Sequence, residues 1–93
     1  MGRTMQVHVL VGSTPLIALL DTGSTHNFIA ETAATRSGLP IQSQPHLRAL
    51  VANGEKVPCP GVIRHALIVI HNSASVVDLF VMTLAGHDLV LGT

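Results

Sequence analysis

The sequence has one cysteine, no tryptophan, no tyrosine and two phenylalanines, and only 11% of its residues are charged. Each scarcity excludes something. The single thiol, Cys59, cannot form an internal disulfide, so a disulfide-stapled secreted scaffold is excluded and a reducing intracellular, cytoplasmic compartment is expected. With so few large aromatics, the core must be built from aliphatic side chains. Five Lys and Arg balance five Asp and Glu, and no stretch concentrates either sign. The electrostatic footprint of a nucleic-acid or anionic-membrane binder is therefore missing, and neither partner is expected. The longest early apolar stretch, Val7 to Leu20, is broken by Gly12-Ser13-Thr14-Pro15, so it reads neither as a signal-peptide core nor as a membrane span.

What remains is a short chain of 93 residues, 47% of them hydrophobic. That length holds one small core, which reads as a single domain over residues 1–93 and excludes a self-contained two-lobed enzyme. A domain of this size buries only roughly two thirds of the surface its unfolded chain exposes. Self-association is the expected further source of buried apolar area.

Periodicity predicts a mostly β chain. Val7, Val9 and Val11 alternate with Gln6, His8 and Leu10, the two-residue period of a half-buried strand. A turn at Gly12 to Pro15 and a second apolar run, Leu16 to Leu20, complete a hairpin that ends at Asp21. From Asn27 to Ser37 the spacing of Phe28, Ile29, Ala33 and Arg36 predicts about two to three helical turns, capped by Thr25 or Asn27 and stopped by Gly38 and Pro40. Asn53-Gly54 predicts the tip of a second hairpin, with Leu47 to Ala52 leading in and Glu55 to Val57 leading out. Pro58-Cys59-Pro60-Gly61 breaks the returning arm. Strands are predicted over Val62 to Ile70, Val76 to Met82 and Leu89 to Leu91.

Asp21-Thr22-Gly23-Ser24 is the feature that asks for chemistry, because an aspartate seldom follows five apolar residues. One reading is a turn that caps the following helix, since Asp, Ser and Thr all accept free backbone N–H groups there. The other is catalytic, and the ordered context favours it. An apolar strand, D-T-G-S, an Asn-Gly hairpin about thirty residues later and a closing apolar-apolar-Gly form a set that chance rarely assembles.

On these residues the sequence resembles the retropepsin-like aspartic proteases, specifically the protease segment of plant-type gypsy LTR retrotransposon polyproteins. The resemblance covers most of the chain and is anchored at Leu19 to Ile29, Val51 to Gly54 and Asp88 to Gly92. It implies an all-β fold, a closed antiparallel acid-protease barrel with one short helix. It implies an aspartic endopeptidase active as a homodimer on a polypeptide substrate, with no cofactor and no metal. Two carboxylates about 3 Å apart share one proton, because like charges so close cannot both ionise. One acts as base toward a water, and the protonated partner donates to the scissile carbonyl. With a single D-T-G, the second aspartate must be Asp21 of another copy.

The resemblance also assigns roles. Thr22 would hydrogen-bond across the two-fold axis, Gly23 would let the backbone approach substrate, and Ser24 would donate to the carboxylate. An activity optimum at roughly pH 4 to 6 follows. Ala52, Asn53 and Gly54 would form a flap over the substrate, while Leu19 and Val90 would line side-chain pockets. The family continues past the late Leu-Gly with a helix and a last strand, which implies a C-terminal truncation here. Retroviral members pair an Asp two residues after the D-T-G glycine with an Arg after the late glycine, and Thr25 and Thr93 occupy those places.

Other residues carry less. The histidines, His8, His26, His46, His65, His71 and His87, lack metal-site spacing, and only Cys59 offers sulfur. Asp78 and Asp88 precede neither Thr-Gly nor Ser-Gly, so neither reads as a second catalytic carboxylate. Cys59 lies between two prolines with no evident base, which argues against a thiol nucleophile. Two rivals stay open. A D-x-G-S-T turn also resembles the first phosphate loop of actin-like ATPases, although 93 residues cannot supply their second lobe. The other is a catalytically inactive retropepsin-like module for dimerisation or peptide binding.

Overall fold

The structure, a computed structural model, describes residues 4–50, 54–84 and 86–92. The first hairpin forms where the alternation placed it. β1 (Thr4–Val11) pairs along its length with β2 (Thr14–Asp21), and Gly12 opens the two-residue turn with φ 61°, a left-handed value that suits glycine. Val9, Val11, Leu16 and Ala18 point inward and are buried, while Leu10 and Ile17 face out.

The segment after the D-T-G turn departs from the helical reading. Phe28–Ala30 form a short strand, β3, and the helix α1 spans only Glu31–Ser37. Tertiary partners override the local pattern here: Phe80 N–H donates to Asn27 O and Ala30 N–H to Asp88 O, both at 2.9 Å. All three strand residues are buried. Ala30 occupies the helix N-cap without a side-chain bond, so neither Thr25 nor Asn27 caps it. Gly38 ends it as expected, in the left-handed conformation at φ 68°.

Beyond α1, β4 (Gln42–Ser43) leads to a separate hairpin of β5 (Arg48–Leu50) and β6 (Lys56–Pro58). β7 (Gly61–Ile70) and β8 (Ser73–Met82) then pair over nearly their full length. His71 and Asn72 join them with φ 48° and 66°, the paired positive values of a tight hairpin turn. β8 therefore starts at Ser73, three residues before the predicted Val76. Last comes β9 (Leu89–Gly92).

The strand order β1-β2-β9-β3-β8-β7 closes back on β1 through Leu10 opposite Val69 and Val11 opposite Ile68, giving a barrel of 6 strands. Closure removes the unpaired edges an open sheet would expose. Ile29, Ile63, Ile68, Leu79 and Leu89 fill the interior, an aliphatic core as the composition requires. A smaller cluster of Phe28, Cys59 and Met82, packed with Leu47, Ala49 and Val57, ties the base of the β5–β6 hairpin to the barrel. Among the described residues no helix is long and apolar enough to cross a membrane.

One topological feature positions the site. β9 runs parallel to β2 and antiparallel to β3, lying between them. The connection from β2 to β3 must therefore arch over the end of β9.

Candidate active site

Asp21 is the last residue of β2, half-buried and in register with Gly92 of β9. Its neighbours hold it from two sides. The Gly23 N–H donates to Asp21 Oδ1 at 2.9 Å, and the Ser24 N–H donates to the Asp21 carbonyl at 3.2 Å. Those bonds make a tight turn that fixes the carboxylate's orientation at the mouth of a cleft. Thr22 is exposed on that turn.

The underside of the turn is equally determined. Asn27 Oδ1 accepts the Gly92 N–H at 2.9 Å. A Cβ at Gly92 would collide with the Ser24 carbonyl oxygen and lie 3.0 Å from that of His26. Only a glycine lets the arch sit this close to β9. In the sequence, Gly92 reads as part of the late anchor and Asn27 as a helix cap. Their joint purpose is not legible there, because the contact joins residues 65 apart in the chain.

The cleft has a volume of about 380 Å³. Asp21, Gly23, Ser24 and Thr25 form its polar edge, and Phe28, Met82, Leu84, Val90 and Leu50 form apolar walls. Of the expected residues, Asp21, Gly23, Ser24 and Val90 thus come together. Leu19, paired beside Val90 on β2, is half-buried and not among the lining residues. Gly54 is exposed with φ 89° and open space around it. Ala52 and Asn53 lie outside the described residues. Phe28 and Met82 escape sequence reasoning as lining residues because they come from different strands, and their apolar character reads as ordinary core.

The Ser24 hydroxyl does not serve Asp21. It donates to the His26 carbonyl at 2.8 Å, so its one proton shapes the loop instead of the carboxylate. Thr25 Oγ1 and His26 Nδ1 are 2.9 Å apart. His26 is thereby held on the aromatic pair Phe28 and Phe80, at ring-centroid distances of 6.2 and 5.5 Å.

The remaining aspartates are occupied elsewhere. Asp78 accepts the His65 N–H at 3.0 Å and the Arg64 guanidinium at 3.1 Å, clamping a bulge in which His65 takes φ 56°. Those contacts, the His65 N–H foremost, hold its carboxyl below the usual range. Asp88 pairs with Arg36 of α1 at 3.2 Å. Cys59 is fully buried, and that desolvation pushes its thiol up, away from the thiolate a nucleophile needs. Among the described residues no three His, Cys, Asp or Glu side chains converge as metal ligands.

A closed six-stranded barrel bearing a carboxylate on a glycine turn, beside an apolar cleft with a hairpin at its edge, defines the retropepsin-like class of folds. Residues 7–93 match the sequence model of the family described as Aspartyl protease, and the chain belongs to that family. The retroviral protease-like domain of Ddi1 from Leishmania major superposes with a TM-score of 0.67 at 15% identity, covering 96% of this chain and 67% of that one. At that identity the likeness speaks for the fold. No curated protein matches the chain. The gypsy-type, plant-type origin is supported by neither comparison.

Proposed function

We propose that the chain is an aspartic endopeptidase that acts as a homodimer, with Asp21 of each copy contributing one carboxylate to a proton-sharing pair. The observation that carries this reading is the Asp21 carboxylate, oriented by the Gly23 N–H at 2.9 Å at the mouth of a cleft with apolar walls. A single carboxylate cannot be acid and base at once. Asp78 and Asp88 are engaged with Arg64 and Arg36, so the partner acid comes from a second copy, with the exposed Thr22 turns meeting at the axis. Water held between the pair loses a proton to one carboxylate and attacks the scissile carbonyl, whose oxygen takes the proton of the other. The mechanism itself uses neither a metal nor an organic cofactor.

The substrate is an extended polypeptide with apolar side chains beside the scissile bond, set against Phe28, Met82 and Val90. On the resemblance stated above, that polypeptide is the retroelement polyprotein containing the domain, processed in the cytoplasm. The shared proton supports an optimum at roughly pH 4 to 6. That expectation rests on the pair alone, since Ser24 does not donate to the carboxylate.

The test is cleavage of apolar-centred peptides by wild type and Asp21→Asn, with pepstatin as inhibitor and sedimentation to report the assembly. A dimer whose cleavage falls about 10³-fold or more in the isosteric variant is expected. Undiminished cleavage by Asp21→Asn rejects the assignment. A folded dimer that binds peptide without cutting it would instead identify the inactive module.

A further inference from the structure

Beside the main cleft lies a second, smaller depression of about 100 Å³, lined by His26, Leu47, Arg48, Ala49, Leu50 and Phe80. Leu50 borders both spaces, and His26 packs on Phe28, a wall of the larger one. A peptide lying along the cleft therefore reaches this depression a short distance from the reacting bond. The chemistry differs between the two. Apart from the turn that carries Asp21, the main cleft is walled by apolar side chains. The depression combines apolar residues with an arginine and a histidine.

Two features make those polar groups available to a ligand. Arg36 and Arg64 are each neutralised by an aspartate, whereas no carboxylate among the described residues forms an ion pair with Arg48. The His26 ring is held in place before any ligand arrives, by Thr25 at Nδ1, by a tilted contact with Phe28 and by an edge contact with Phe80. Among the described residues no hydrogen bond involves its other nitrogen. The remaining charged groups on this hairpin are Glu55 and Lys56, with Lys56 paired opposite Leu50. A positive charge and an oriented ring beside apolar walls match an acidic side chain, whose methylenes pack while its carboxylate meets the guanidinium.

We propose that this depression is a subsite for an Asp or Glu side chain of the bound peptide, Arg48 supplying the charge and His26 the directional contact. The proposal rests on the peptide-binding reading of the cleft. In a symmetric dimer the subsite occurs twice, so acidic side chains are favoured at one position on each side of the scissile bond.

The test separates binding from cleavage. A fluorescent peptide series with an apolar centre carries one Glu, walked through the flanking positions, each member matched by its Gln counterpart. Binding is measured to full-length Asp21→Asn. The Glu peptide should bind about tenfold more tightly than its Gln counterpart at a single position on each side, at low salt. High salt should shrink that ratio, because the site is open to solvent. Adding Arg48→Gln should bring it near one, Arg48→Glu should invert it, and His26→Ala should lower it part of the way. A ratio of one at every position, a ratio unmoved by Arg48→Glu, or no peptide binding at all overturns the subsite. Glu-selective binding to the variant with no cleavage by wild type leaves the subsite standing and sinks the protease reading alone.

Discussion

The two segments that border the cleft are built in opposite ways. The 21–27 arch is stapled from within by Gly23 N–H to the Asp21 carboxylate and by the Ser24 hydroxyl to the His26 carbonyl, and from below by Gly92 N–H to Asn27 Oδ1. The β5–β6 hairpin is anchored at its base, where Cys59 N–H donates to Leu47 O at 2.9 Å and the Phe28–Cys59–Met82 cluster packs. Farther out, Leu50 is 63% exposed, and a Cβ added at Gly54 would meet nothing within 4 Å. Among the described residues, one wall of the site is therefore bonded along its length, and the other is anchored at its base. A site that must hold a carboxylate still while admitting a chain needs both.

Substitutions can break that contrast from either side. The largest effect is expected from Gly92→Ala, whose methyl meets backbone carbonyls that no rotamer change can move. It should displace the arch, destabilise the fold by about 1 to 3 kcal/mol and remove peptide cleavage, read by denaturant melts and a cleavage assay. Asn27→Ala removes the acceptor for the part-buried Gly92 N–H. A loss of about 1 to 3 kcal/mol is expected, with faster amide exchange at Gly92 and Ser24 but not in β5 or β6. If exchange in the hairpin rises equally, the two walls are one unit and the contrast fails.

Gly54→Ala acts on the hairpin wall. Its φ of 89° disfavours a side chain, so a local penalty of about 1 kcal/mol is expected, seen as altered peptide on- and off-rates with little change in the global melt.

The smallest effect concerns Asp78, remote in sequence from the arch. Its carboxyl is depressed in the folded state, foremost by the His65 N–H. Such a group stabilises the fold above its unfolded value of about 3.9, and that contribution is lost as pH falls through the lower folded value. Wild type and Asp78→Asn should therefore differ near neutrality and converge in strong acid, with the arch unaffected in both. A difference that grows toward acid would contradict the assignment.

Legibility follows the range of the forces involved. The β1–β2 and β7–β8 hairpins can be read because alternation and turn residues act over a few positions. The Asp21 turn can be read because its motif is contiguous. Phe28–Ala30 have helical spacing yet form a strand, because their backbone partners, Phe80 and Asp88, lie some fifty to sixty residues away. Ser24 stands where a donor to the carboxylate is expected, but the His26 carbonyl, two residues on, takes its proton.

By itself, the sequence determined an aliphatic β core, a turn with one carboxylate and a hairpin to follow, since composition, period and turn chemistry are local properties. Tertiary structure decided that β9 slides between β2 and β3, that Gly92 must carry no side chain, and that His26 and Arg48 share a depression. Those outcomes depend on which backbone donors and acceptors meet once the barrel closes, and strand pairing across the whole chain sets that.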